Sequence, residues 1–118
     1  MSPGQQEAFD TEMALANTCL TAADVEAELR HLQRAHIIGQ AFVGPHVRTH
    51  WHMLLVERRR GRLGAVVGQA VRIVLGAIGS AIGVIPLGNT GSGDVSMLQR
   101  MPIPPDMQAI VDAHDRQG

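Results

Sequence analysis

The chain has 118 residues, 45% of them hydrophobic, a net charge of -1 and one cysteine, Cys19. This length suits one core, and with two Phe, one Trp and no Tyr that core must come from Ala, Val, Ile, Leu and Met. The lack of aromatic platforms and surplus positive charge argues against a nucleic-acid surface, and a lone cysteine excludes an internal disulfide and Cys-rich zinc motifs.

Residues 1–6 carry neither the positive start nor the apolar run of a secretory signal, so they read as a disordered lead-in. Residues 7–118 read as a single helical domain, expected in the cytoplasm. From Glu7 to Leu20, Phe9, Met13, Ala16 and Leu20 recur at steps of four, three and four and predict a first helix. Cys19, near its apolar end, reads as a buried, inert thiol. Thr21, with Asp24 three residues on, has the form of a weak capping box and is expected to open a second helix. The apolar face of that helix runs Val25, Leu29, Leu32 and His36, which gives His36 a core position. Glu26, Glu28, Arg30 and Arg34 fall mostly outside it, and the pairs Asp10/Glu12 and Glu26/Glu28, two residues apart, read as solvated surface.

Gly39, Gly44 and Pro45 punctuate the chain, and Pro45 suits the first turn of a third helix predicted over Pro45 to Arg60. At 100° per residue, His46, His50, Met53 and Glu57 form one stripe beside an apolar arc of Val47, Trp51 and Leu54. Trp51 is expected to fill core. The Arg58-Arg59-Arg60 run falls at the helix end, where cations suit the dipole. Leu63 to Leu87 is the most apolar stretch and is long enough to span a bilayer. Arg72 near its centre and its several glycines favour a buried central helix, with membrane association as the lesser alternative. Gly68, Arg72, Gly76, Gly79 and Gly83 cluster on one side as a small-residue groove suited to another helix, including one from a second subunit.

Leu87 to Asp94 is a glycine-rich turn that lacks the following lysine of a phosphate-binding loop. Asn89 and Thr90 in it are candidates for contact with an anion or partner, or for bonding local amides. The proline-rich Met101 to Pro105 is extended, and a last short helix is predicted over Pro105 to His114. The architecture expected is all-α: an antiparallel four-helix bundle with a short fifth helix and a Gly/Pro-rich C-terminal tail. Its first two helices form a hairpin of tetratricopeptide-like form.

The strings Leu32-Gln33-Arg34-Ala35-His36-Ile37-Ile38-Gly39-Gln40, Pro45-His46-Val47-Arg48-Thr49-His50-Trp51-His52-Met53-Leu54, Gly88-Asn89-Thr90-Gly91 and Met101-Pro102-Ile103-Pro104 occur in this order. They resemble a bacterial family catalogued as domain of unknown function 3703, over roughly residues 9 to 111. The resemblance implies no activity. It implies a neighbourhood of metal-resistance genes in some members, and an E-x-x-H pair where this chain has Gln33-x-x-His36. A neutral oxygen there is a poorer metal ligand than a carboxylate.

Five of the six histidines lie between His31 and His52. His46 and His50, four apart, point two imidazoles the same way, as zinc, copper, nickel or iron accept. His36 from the neighbouring helix is the candidate third ligand, with Gln33, Gln40 or Glu57 as a fourth or supporting group. His31 and His52 project elsewhere. The same three histidines also suit a purely structural role, with ring nitrogens bonded to main-chain groups. H-x-x-x-H without the adjacent glutamate gives no support to metalloprotease chemistry, and no catalytic residue is assigned. The sequence thus points to a small metal-handling accessory protein, or else to an interaction or homo-oligomerisation module.

Overall fold

The computed structural model describes residues 1–82 and 101–112. Five helices follow one another there: α1 Pro3–Thr21, α2 Val25–Gly39, α3 Val43–Arg59, α4 Leu63–Ile82 and α5 Pro105–Asp112. Among the described residues there is no strand, and the helices pack as an all-α bundle. Leu87, Asn89, Thr90, Gly83, Asp94 and His114, on which some expectations fell, lie outside the described residues.

Local chemistry sets the helix ends. The lead-in does not extend over residues 3–6, because α1 starts four residues before Glu7. Ser2 Oγ accepts from Gln5 N at 3.1 Å while Ser2 N donates to Gln5 Oε1 at 2.9 Å, a full capping box, and Pro3 occupies the first turn. Thr21 does not open α2. It is the last residue of α1, its hydroxyl turned back to Asn17 O, and the cap is Asp24, whose Oδ1 accepts from Ala27 N. Between them Ala23 adopts φ 58°, with Asp24 N bonded to Cys19 O and Ala23 N to Leu20 O. This is the paired closure of a Schellman motif with alanine where glycine is usual. α3 ends in the same motif with the usual residue: Gly61 at φ 72°, Arg62 N bonded to Glu57 O and Gly61 N to Arg58 O.

Connectors this short keep sequence neighbours in contact. α1 packs on α2, α2 on α3 and α3 on α4, and α5 lies against α1 and α2. Phe9, Met13, Leu32, Ile38, Met53, Val56 and Met107 form the core. Buried Gln5 donates to Ile110 O and Val111 O near the end of α5, and so fastens that helix to α1. Gly39 closes α2 where a side chain has no room: a Cβ there would stand 2.7 Å from Pro45 Cβ and 3.1 Å from Phe9 Cε2.

Several expected burials are reversed. Glu12 and Glu28 are buried, not solvated, because each meets cations from other positions. Glu12 accepts from Arg34 Nε at 2.9 Å and contacts His31 Nδ1 at 2.7 Å, while Glu28 accepts from Arg59 Nη2 at 2.6 Å. Trp51 is 52% exposed, not core, since α3 turns its histidine stripe inward and its tryptophan side out. Leu20 is exposed, and Cys19 is half-buried, not enclosed. α4 is not a buried central helix. Among the described helices it packs on α3 alone, and Leu63, Val67, Val71, Val74, Leu75, Ile78 and Ile82 are exposed. No helix among the described residues is long and apolar enough to cross a membrane.

Candidate metal centre

His36 lies in the last turn of α2, and His46 and His50 lie one turn apart on α3, just across the short α2–α3 connector. This placement brings together three residues that are distant or offset along the chain. His36 Nε2 stands 3.0 Å from His50 Nε2, and His46 Nε2 stands 3.1 Å from the same atom. The ring centroids are 4.6 to 4.9 Å apart. All three side chains are buried, at 3, 6 and 3% exposure. One ligating atom from each lies within 4.8 Å of the others.

One face of α4 covers this cluster. Gln69, Arg72 and Gly76 are spaced three and four apart, so they share a side of the helix. Gln69 is buried, and its Oε1 accepts from His50 Nδ1 at 2.7 Å. Gly76 lets the backbone approach His46, because a Cβ there would meet the ring at 2.9 Å from Cε1 and 3.0 Å from Nε2. Arg72 is half-buried, with Nη1 shielded from solvent. At the base of the site, buried Thr49 donates its hydroxyl to His46 O at 2.8 Å.

These contacts bear on the charge of His46 and His50 and on the tautomer of His50. Burial lowers the pKa of His50 to about 4, against a raising effect from Gln69, with His46 and Arg72 adding smaller depressions. Burial likewise lowers His46, opposed by a hydrogen bond to the Gln40 main chain. The His46 and His50 rings are therefore neutral at pH 7. In a neutral His50 that donates from Nδ1, Nε2 carries a lone pair and faces the other two Nε2 atoms. One lone pair accepts one N–H well, yet two nitrogens stand within 3.1 Å of it. A cation among three lone pairs would satisfy all of them. Tetrahedral zinc, with metal–nitrogen bonds of about 2.0–2.1 Å, sets neighbouring nitrogens about 3.3–3.4 Å apart, close to the two separations from His50 Nε2.

The remaining sequence candidates are placed differently. Gln40 reaches the site through its main chain, on His46. Gln33 is half-buried one turn before His36. Glu57 is no part of the cluster: it is buried beside Arg60 Nη1 at 3.2 Å and Arg62 Nε at 3.3 Å. His31 is held by Glu12, and His52 is half-buried outside the group. Sequence reasoning missed Gln69 as a partner of His50, and it took Gly76 as a groove for a second helix in general. The available signal was that Gln69 and Arg72 interrupt an otherwise apolar run three residues apart.

The arrangement is that of an all-α bundle with a buried tri-histidine cluster covered by one helix face. The chain belongs to a family of proteins of unknown function, DUF3703, whose family model matches residues 3–111. No curated protein and no solved structure matches it.

Proposed function

We propose that this protein binds a transition-metal ion through Nε2 of His36, His46 and His50, and that it serves an accessory role in metal handling or resistance. The observation that carries this reading is the convergence of three buried imidazoles about His50 Nε2. Imidazole suits zinc, copper, nickel and iron, and geometry selects among them. Two of the three rings are steadied from behind, His50 by Gln69 Oε1 and His46 by the Gln40 main chain, as metal-bound imidazoles commonly are. Three ligands leave a fourth position of a tetrahedral ion open. The test is elemental analysis of the untagged protein and of the double variant His46→Ala/His50→Ala, with chelator competition for zinc and nickel. Near-stoichiometric metal lost in the double variant supports the proposal; equal trace metal in both refutes it.

A second reading is self-association through α4, and one observation favours it: Val67, Val71, Val74, Ile78 and Ile82 form an exposed apolar row at helical spacing. The surface concerned is this outer row, because at Gly76 the groove side meets His46 of the same chain. Sedimentation velocity on the wild type and on Val71→Glu/Ile78→Glu tests it. A wild type that is monomeric at every concentration refutes it.

A further inference from the structure

Resting on that metal reading, we infer that the open coordination position takes a small oxyanion, of carboxylate or phosphate type, held jointly by the metal and the guanidinium of Arg72. The argument starts from charge. Three neutral imidazoles leave both positive charges of a divalent ion uncompensated, and among the described residues the group of ligating atoms contains no carboxylate or thiolate. The ligands are at least 94% buried, where uncompensated charge is costly.

Geometry then names the second partner. Arg72 lies between Gln69 and Gly76 on the face of α4 whose neighbours touch His50 and His46, and its Nη1 is turned away from solvent. A second cation beside a metal site raises the demand for negative charge at that point. Guanidinium is the side chain whose planar fork matches an oxyanion, and its five donors let one edge hold an anion while others serve the fold. A ligand with one oxygen on the metal and another on Arg72 meets both requirements. Azole or thioether ligands, being neutral, meet neither.

The test uses the full untagged chain loaded with cobalt(II), whose visible absorption reports coordination, titrated separately with acetate and with inorganic phosphate. The expected result is a saturable band shift with at least one anion in the wild type. In Arg72→Met, cobalt still binds and the anion affinity falls about tenfold or more; Arg72→Lys, keeping charge without the fork, falls between the two. The stronger of the acetate and phosphate responses identifies the oxyanion type. Wild-type bands that ignore both anions overturn the inference whatever the variants do, as does an unchanged anion affinity in Arg72→Met. Either result leaves the metal reading standing. A folded wild type that takes up no cobalt overturns the metal reading and this inference with it.

Discussion

His50 donates its Nδ1 proton to Gln69 Oε1 across the α3–α4 contact, and this single bond turns the lone pair of Nε2 toward His36 and His46. Without it either tautomer of His50 is available, and half of the pairing that orients the ring is gone. Gln69→Leu is therefore expected to keep the helical content but to lower metal affinity about 10–100-fold, the usual cost of losing a group that supports a ligand. Competition against a chromophoric chelator reads this directly. Affinity unchanged from the wild type would mean that His50 is oriented by packing alone.

The depressed pKa of His50 makes the metal-free fold sensitive to acid. The folded ring titrates near 4 and an unfolded histidine at 6.5, so between these values the unfolded chain binds more protons and stability rises with pH. The contribution is complete above about pH 6.5 and is lost as pH falls toward 4, amounting to about 3 kcal/mol at full loss. His46, also lowered, acts in the same direction. Urea denaturation of the chelator-treated protein at steps from pH 7.5 to 4.5 should show this decline, and His50→Leu should flatten it. A wild-type midpoint independent of pH across that window would contradict the burial of a neutral ring.

Two glycines distinguish stability from function. At Gly76 an added methyl meets the far end of the His46 ring, at 2.9 Å, which can give way. Alanine also gains about 1 kcal/mol in helix propensity, so Gly76→Ala should leave the melting temperature nearly unchanged while displacing a ligand and weakening metal binding. At Gly39 the methyl meets Pro45 Cβ at 2.7 Å with Phe9 behind it, and a pyrrolidine ring fixed to the backbone cannot swing aside. Gly39→Ala should cost about 1–3 kcal/mol of stability. Thermal melts paired with metal titrations separate the two; equal loss of stability in both would show that α4 is as tightly held as the α2–α3 corner.

The all-α class was legible because Phe9, Met13 and Ala16 on α1, and Leu32 and His36 on α2, repeat at helical spacing and are buried as that spacing implies. The histidine trio was legible for a related reason: His46 and His50 are one turn apart, and His36 sits on a core-facing stripe. Gln69 was not, since a polar residue in an apolar helix says nothing of what it faces until the α3–α4 packing is known. Glu12 and Glu28 were misjudged because local spacing describes one helix, whereas their partners Arg34 and Arg59 come from others. Trp51 failed similarly. Hydrophobicity assigned it inward, but the inward face of α3 is claimed by the imidazoles and the methionine and valine below them, leaving the tryptophan half outside.

The α1–α2 turn offers a stabilising change with no bearing on the site. Ala23 holds φ 58° at the position after the α1 C-cap, and its hydrogen bonds match those around Gly61 at the end of α3. A Cβ in that left-handed conformation costs roughly 1–2 kcal/mol, while glycine there adds unfolded-state entropy worth about 0.4–1 kcal/mol. The strain is the larger of the two, so Ala23→Gly should raise stability by up to about 1 kcal/mol and leave metal affinity as it is. Chemical denaturation of the variant beside the wild type measures the first, and the chelator competition the second. A variant less stable than the wild type would show that the turn carries no strain at Ala23.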